Sequence, residues 1–222
     1  MEFLKSTVRG SPFVGVFAAV TDEIALFPHA LDEKRTRQWE QVLGVKSIRC
    51  TIANSSLIGV FCKALGKKIV VPESVEATET RWLERNGLEV LVAKDYTALG
   101  NLLALNSQGG IVSPLVKAGT VKALEGFFGV PLKHMAVSGT EVVGSAATVT
   151  NKGFIVHPNI APKEFEALKG IFRVYGTTGT ANYGDPFVSN SLLANGHGVI
   201  VGEQTTGYEL ARIDEGLRGE PL

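Results

Sequence analysis

One short motif recurs five times along the chain, and this repetition restricts the possible folds more than any other feature of the sequence. Each copy has a polar turn followed by a short apolar run that ends in proline or glutamate. The copies are NKGFIVHP at 151–158, GKKIVVP at 66–72, QGGIVSP at 108–114, GHGVIVGE at 196–203 and, less clearly, DEIALFP at 22–28. Self-similarity of this kind indicates a repeat architecture.

Two independent sets of positions give the same period. Gly15, Gly59, Gly100 and Gly144 lie 44, 41 and 44 residues apart, and Ser189 takes the corresponding place 45 residues later. The prolines that close the motif, Pro28, Pro72, Pro114 and Pro158, lie 44, 42 and 44 residues apart, with Glu203 a further 45 on. We therefore divide the chain into repeats at approximately 11–54, 55–96, 97–139, 140–184 and 185–222.

Each repeat is predicted to contain a strand, a hairpin turn, a second strand, a helix and a third strand. The glycine is expected to open the first strand, and Gly or Asn in the turn supplies the positive φ of a tight hairpin. Runs such as IVV and FIV are short and β-branched, which is typical of strands buried on both faces.

Apolar residues at helical spacing follow the second strand of every repeat. The faces expected to be buried are Trp39, Val42 and Leu43; Trp82 and Leu83; Val121, Leu124 and Phe128; Phe165, Leu168 and Phe172; and Leu210, Ile213 and Leu217. The fifth repeat ends with its helix, so we expect the N-terminal MEFLKSTV to supply its third strand and close a ring. The sequence thus predicts one α/β domain, residues 1–222, with fivefold pseudo-symmetry.

Composition narrows the class of protein. The 22 basic and 22 acidic residues balance, so the chain has no general attraction to nucleic-acid phosphates. No signal-peptide core is recognisable, and FVGVFAAV is too short to span a bilayer, which favours a cytoplasmic protein. Cys50 and Cys62 are the only cysteines, and we expect both to be buried thiols.

Sequence signals for catalysis, metals and cofactors are missing. The chain contains no phosphate-binding GxxxxGK[ST], no dinucleotide-binding GxGxxG and no GxSxG. None of the four histidines is paired with another at helical spacing, so no metal site and no cofactor are expected. Spacing alone leaves a cysteine–histidine nucleophile open, although both cysteines lie in apolar runs.

Equivalent positions in a ring lie on the same rim, which predicts a docking surface. The residues directly after the repeated glycines or Ser189 are Val16, Val60, Asn101, Ser145 and Asn190, and polar loops precede them. A polar rim of low charge suits a protein surface more than a nucleic-acid backbone. The alternative is that these loops are simply solvated turns.

Several of these segments resemble the translation initiation factor 6 family, the ribosome anti-association factors of archaea and eukaryotes. They are LIGVFC at 57–62, ALGN at 98–101 and VVGSAATVTNKGFIVHP at 142–158. The resemblance extends along essentially the whole chain. The chain is similar to the archaeal members of the family, because the tail of the eukaryotic members has no counterpart in this sequence.

The resemblance implies a pentein fold, which is a five-bladed α/β propeller. It also implies that a monomer binds the large ribosomal subunit on its intersubunit face and blocks the small subunit. The family docks mainly on ribosomal protein uL14, near the sarcin–ricin loop and protein eL24, with no membrane or free DNA involved. Asn101 matches a family position at that contact, and Val60 matches an arginine of the eukaryotic proteins. Val16, Ser145 and Asn190 are added from the repeat.

Two other functions are compatible with a ring of this kind. One is an enzyme of the amidinotransferase or arginine-deiminase type, which resembles this ring but carries a nucleophilic cysteine in a late loop. This chain has no cysteine after residue 62, which argues against that alternative. The other is a ring that binds a metabolite at its axis without catalysis.

Overall fold

The structure, a computed structural model, describes residues 1–219, in which the chain forms fifteen strands and ten helices. The strands are β1 (Glu2–Ser6), β2 (Ala19–Val20), β3 (Ala25–Pro28), β4 (Ser47–Cys50), β5 (Lys63–Leu65), β6 (Lys68–Pro72), β7 (Glu89–Ala93), β8 (Leu103–Leu105), β9 (Gly110–Val112), β10 (Leu132–His134), β11 (Ala147–Val149), β12 (Gly153–Val156), β13 (Tyr175–Thr178), β14 (Leu192–Ala194) and β15 (Gly198–Gly202). The helices are α1 (Val14–Phe17), α2 (Glu33–Leu43), α3 (Ile58–Phe61), α4 (Ala77–Arg85), α5 (Leu99–Leu102), α6 (Ala118–Phe128), α7 (Val143–Ala146), α8 (Pro162–Phe172), α9 (Val188–Ser191) and α10 (Gly207–Arg218).

The strands form five sheets of three, and each sheet is one blade of a propeller. The first four blades are β2-β3-β4, β5-β6-β7, β8-β9-β10 and β11-β12-β13. In each of them an antiparallel hairpin leads through a helix to a third strand parallel to the second. Such a parallel return needs a long crossover connection, and the helix provides it.

The fifth blade joins the two ends of the chain. Its hairpin is β14 and β15, and its third strand is β1. The pairing of β1 with β15 is parallel and runs from Glu2 opposite Gly198 to Ser6 opposite Gly202. The ring is therefore closed by backbone hydrogen bonds between strands about two hundred residues apart in sequence. The closed α/β ring with fivefold pseudo-symmetry that the repeats predict is confirmed, and its five blades form the pentein-type propeller that the family resemblance implies.

The hydrophobic core is divided into five clusters, each lying between two neighbouring blades. In β3, for example, Leu26 packs with Ile69 and Leu83 of the second blade. The next residue, Phe27, packs with Trp39 and with Ile200 of the fifth blade. Because successive side chains of a strand point to opposite faces, the middle strand of each blade must be apolar on both faces. This explains the continuous apolar runs in the sequence.

The long helices bury most of the residues that their periodicity predicts, but Phe165 and Leu210 are only half-buried and Trp82 is exposed. Trp39, Leu124, Leu168 and Ile213 are buried, as expected. Trp82 is 48% exposed, so its assignment to the core is wrong. The indole N–H of Trp82 donates to the carbonyl oxygen of Arg49 at 3.0 Å, which holds the ring against the first blade at the protein surface.

The prediction that the repeated glycine opens a strand is also wrong. Gly15, Gly59, Gly100 and Gly144 each occupy the second position of a one-turn helix, and the strand begins three or four residues later. Apolar runs this short do not distinguish a strand from one helical turn. The repeating unit is therefore short helix, strand, strand, long helix, strand.

Candidate functional site

The five short helices surround the axis of the propeller at one end, and glycine permits their close packing. A Cβ atom on Gly59 would lie 1.8 Å from the carbonyl oxygen of Gly15. One on Gly100 would lie 1.8 Å from the oxygen of Gly59, and one on Gly144 would lie 2.0 Å from that of Gly100. Four of the five short helices thus pack against the backbone of a neighbouring one so closely that only a residue without a side chain fits, whereas the fifth, α9, carries Ser189 at this position.

Tight turns lead into these helices and are built alike in four of the five blades. Isolated bridges close them, such as Val8 with Ser11 and Ile52 with Ser55. The central residues have positive φ, for example 54° at Ala53 and 57° at Asn54. A side-chain oxygen then accepts a hydrogen bond from the N–H two residues later, as Ser55 does from Leu57 at 3.2 Å. These local bonds fix the loops and hold the short helices in the same orientation around the axis.

Glutamate side chains of three long helices accept hydrogen bonds from some of these turns. Glu79 accepts from the backbone N–H of Asn54, and Glu164 accepts from that of Ser138. Glu209 is only 4% exposed and accepts from Gly184 N–H at 2.8 Å and from the hydroxyl of Thr180 at 2.8 Å. Burial alone would raise the pKa of Glu209, but its hydrogen bonds outweigh that effect and leave the pKa below the usual value.

The five rim residues chosen from the sequence lie together in the structure. Val16, Val60, Asn101, Ser145 and Asn190 all line one cavity of about 80 Å³, with the short helices around it. Four of them are half-buried, whereas Ser145 is 5% exposed. The rim residues therefore face the axis. In the turns that precede the short helices, Phe13 and Tyr183 are exposed.

Two polar residues that the sequence did not single out line the same cavity. Lys63 begins β5 and Thr148 lies in β11, so both follow a short helix. Burial lowers the pKa of Lys63 to about 8. The hydroxyl of Thr148 is buried without a hydrogen-bond partner in the described part of the chain. The repeat aligns these positions with alanine or leucine, so a departure from the repeat was the only available signal.

An apolar ring separates this cavity from a wider opening at the other end of the axis. Val20, Ala64, Leu105, Val149 and Ala194, one from each blade, line both spaces. The wider opening has a volume of about 500 Å³ and is bordered by the hairpin turns of the blades. Across it, the side-chain amide of Asn151 donates to Asp22 at 2.6 Å and so connects the fourth blade to the first.

Asparagines within these hairpins connect neighbouring blades. The amide of Asn195 donates to the carbonyl oxygens of Thr21 and Leu43 in the first blade, at 3.0 and 2.8 Å. Asn106 makes the equivalent bonds to Thr150 and Phe172 in the fourth blade. Both amides are buried, so these bonds fix the angle between blades as well as stabilising them.

The described residues offer no activated nucleophile at the cysteines. Cys50 and Cys62 are both buried and unbonded. Burial, with a smaller contribution from the Glu79 carboxylate, raises the pKa of Cys50 to about 12, and burial likewise raises that of Cys62. A thiol must be deprotonated to attack, and burial disfavours that form. Residues 1–219 contain no cluster of three or more His, Cys, Asp or Glu arranged to bind a metal ion.

His157 has a shifted pKa, but its contacts are with neighbouring residues of the fold. Burial lowers the pKa of His157, whose Nδ1 accepts from the N–H of Asn159 and whose ring packs on Phe187. His157 directly follows β12, and these contacts hold its ring in place.

Within the described range, no helix combines the length and apolar character needed to cross a bilayer.

The fold and site define a class of protein: a closed α/β propeller of the pentein type with a narrow axial cavity and a ring of short helices at one end. A family model described as the eIF-6 family matches residues 3–216. The chain therefore belongs to the eIF-6 family, whose members act in translation initiation.

Two named relatives agree with this assignment. The chain is 37% identical over 216 residues to translation initiation factor 6 of Pyrococcus abyssi, covering 94% of this chain and 95% of that protein. It is 36% identical over 224 residues to the protein of the same name from Thermococcus onnurineus, covering 98% of each. Among solved structures, a dimethylarginine dimethylaminohydrolase from Pseudomonas aeruginosa is similar at 15% identity, with a TM-score of 0.45 and coverage of 93% of this chain and 73% of that one.

Proposed function

We propose that this protein binds the large ribosomal subunit on its intersubunit face as a monomer and prevents association with the small subunit. One observation carries the proposal: the near-complete coverage of archaeal translation initiation factors 6 at 36–37% identity. Membership of a translation factor family also supports action in the cytoplasm. The mechanism is steric, because a folded body on the joining surface occupies space that the small subunit needs.

The structure supports a steric mechanism through its rigidity. The ring is closed by the β1–β15 pairing and connected between blades by buried asparagines. A rigid body loses little conformational entropy when it docks, so more of its contact energy appears as affinity. To block subunit joining, the affinity of this protein for the large subunit must exceed the affinity of the small subunit for the large subunit. No covalent step is needed, and the buried cysteines support a non-enzymatic role over a deiminase-like one.

We infer that the short-helix end of the axis faces the subunit, in the region of proteins uL14 and eL24 and the sarcin–ricin loop. Asn101 and Asn190 present amides there, and Val16 and Val60 present apolar surface. The turns around them carry both signs of charge, including Arg9, Glu141 and Asp185. This mixture suits a protein partner more than a continuous phosphate backbone. Ser145 is too buried for direct contact, so its role is to shape the rim.

Co-sedimentation with isolated archaeal large subunits tests the proposal. On a sucrose gradient, the protein is expected to migrate with the large subunit at low magnesium and to be displaced by excess unlabelled protein. Small subunits alone serve as the control. Protein that stays at the top of the gradient with large subunits, or binds both subunits equally, would rule out the proposed function.

Replacement of Asn101 tests the proposed docking end. The side chain of Asn101 makes no hydrogen bond to other residues within 1–219 and is half-buried at the rim. We expect Asn101→Ala to weaken subunit binding by about tenfold, because interface residues that matter contribute about 1 kcal/mol or more each. Asn101→Arg should weaken binding further through its larger volume. The measurement is a binding titration with fluorescently labelled protein, accompanied by thermal denaturation.

The matched control is Asn159→Ala, which removes an exposed asparagine between β12 and α8, outside the axial cavity. It should leave binding unchanged. Unaltered binding by both Asn101 variants would exclude this end of the axis as the contact, while leaving subunit binding itself to the gradient experiment.

A further inference from the structure

Among the described residues, Lys63 is the one cationic residue in the lining of the axial cavity, and it has no partner of opposite charge there. Lys63 is half-buried, and its Nζ makes no hydrogen bond or ion pair with residues 1–219. The described residues around the cavity include no aspartate and no glutamate. Loss of hydration without a counter-charge disfavours the charged form of the amine, which is why partial burial lowers the pKa of Lys63 to about 8.

The cavity also offers neutral donors. Thr148, a residue 7% exposed, lines the cavity, and its buried hydroxyl has no hydrogen-bond partner among the described residues. Asn101, Ser145 and Asn190 contribute amide and hydroxyl groups to the same lining. A buried hydroxyl left unpaired costs free energy, so native structures normally satisfy it with protein, water or a bound group.

Carboxylates elsewhere on the axis do not neutralise Lys63. Asp22, Glu23 and Glu89 border the wider opening, beyond the apolar ring formed by Val20 and its equivalents. Asp22 is already engaged by the N–H of Gly196 and the amide of Asn151, both at 2.6 Å. The other ionisable residue in the cavity lining is Cys62, whose thiol stays protonated because burial raises its pKa.

From this arrangement we infer that the axial cavity is a binding site for a small inorganic oxyanion of the sulfate or phosphate class, with Lys63 as its counter-charge and Thr148 as a hydrogen-bond donor. A volume of about 80 Å³ accommodates one such ion or several waters. An oxyanion would satisfy the ammonium and the hydroxyl together, with charge-assisted hydrogen bonds that are stronger than those to water. The ion would lie inside the cavity, whose lining includes Asn101 and Asn190 of the rim proposed for subunit docking.

Sulfate is the appropriate probe, because its charge is constant over the pH range of interest. We would measure sulfate binding to the purified protein at pH 6.5 by isothermal titration calorimetry and by the shift in Tm, at constant ionic strength set with chloride. Saturable binding at one site is expected. Lys63→Met should weaken it about tenfold or more, and Thr148→Val should weaken it to a smaller extent, since hydrogen bonds to charged groups are the stronger ones.

Two lysine controls localise the ion. Lys34→Met removes an exposed lysine on α2 and should have no effect. Lys67→Met removes an exposed lysine at the wider opening, and it too should leave binding intact. Circular dichroism and Tm without sulfate verify that Lys63→Met folds, and removal of an unpaired buried charge should raise rather than lower its Tm.

The dependence on pH supplies an independent test. Because Lys63 must be protonated to attract the ion and its pKa is about 8, affinity should fall by about tenfold between pH 6.5 and pH 9. Lys63→Met should show no such decrease. Glycerol phosphate should not bind, because the cavity is too small for the ester; equal binding of the ester would overturn the assignment to a free inorganic ion.

The inference is overturned if sulfate does not bind saturably, if Lys63→Met binds it as well as the unaltered protein does, or if Lys67→Met abolishes binding instead. The experiment uses the isolated protein and no ribosomal component. Failure of the sulfate experiment would therefore leave the proposed anti-association function intact. Failure of the subunit-binding experiment would likewise leave the sulfate site intact.

Discussion

Gly59→Ala is expected to destabilise the protein by about 4 kcal/mol or more, although alanine is the better helix former by about 1 kcal/mol. The added Cβ would lie 1.8 Å from the carbonyl oxygen of Gly15 and 2.6 Å from that of Ala18. Both are backbone atoms of the neighbouring blade, so no side-chain rotation can relieve the overlap. Differential scanning calorimetry should show a Tm lower by about 10 °C or more, at about 2–4 °C per kcal/mol.

Two substitutions serve as matched controls for Gly59→Ala. Gly126 lies inside α6 with no atom near the position of a Cβ, so Gly126→Ala should raise stability by up to about 1 kcal/mol. Ser189 occupies the fifth place in the ring of short helices and already carries a side chain. Ser189→Gly should therefore have a small effect. A Gly59→Ala protein as stable as the Gly126→Ala protein would contradict the close packing of the short helices.

Glu209→Ala is expected to destabilise the protein by about 3 kcal/mol, because it leaves several donors unpaired inside the structure. The carboxylate accepts from the N–H groups of Thr206 at 2.7 Å, Gly184 at 2.8 Å and Tyr183 at 3.2 Å. It also accepts from the hydroxyl of Thr180 at 2.8 Å. Loss of these bonds frees the turn before α9 from α10. Urea denaturation monitored by circular dichroism measures the change.

Glu166→Ala is the control for loss of a glutamate. Glu166 lies on α8 and, among residues 1–219, pairs only with Lys169, and its side chain is 67% exposed. Exposed pairs of this kind contribute about 0–1 kcal/mol. If Glu209→Ala and Glu166→Ala reduced stability equally, the hydrogen-bonded role of Glu209 would be refuted.

The contribution of Glu209 should also depend on pH. Its pKa in the folded protein is below the ordinary value of 4.5, so the folded state favours the ionised form. The stabilisation is therefore present in full above about pH 5 and is lost as the pH falls through the folded pKa. The difference in stability between the unaltered protein and Glu209→Gln should shrink as the pH falls below 4.5. A difference that grows instead would mean that the carboxylate is held protonated.

The period of the sequence was enough to predict the ring and its long helices. Pro28 and Pro72 end the second strand of their blades, and Pro114 and Pro158 lie two residues after it. Residues such as Leu124 and Leu168 are buried where helical spacing predicts. This works because each blade buries its own apolar face against the next one, so every copy of the unit must meet the same packing requirement. The five rim positions also meet around one cavity, since equivalent residues in a ring share a radius and a height.

The structural features that the sequence repeat could not predict depend on contacts between blades. Four of the repeated positions in the short helices require glycine because backbone atoms of a neighbouring repeat lie where a Cβ would be, and no local sequence pattern records that contact. Trp82 has a helical position typical of the core, but its indole bonds to Arg49 at the surface. Lys63 and Thr148 reach the axis only after the ring closes. These residues depart from the repeat, and the reason for each departure is visible only in three dimensions.

Subunit reassociation is the most direct test of the account. Purified archaeal large and small subunits are mixed at a magnesium concentration that favours joining, and light scattering records the formation of whole ribosomes. Pre-incubation of large subunits with a stoichiometric excess of this protein should abolish the increase in scattering, whereas pre-incubation of small subunits followed by removal of free protein should not. Unhindered joining of large subunits that carry the bound protein would contradict the proposed function.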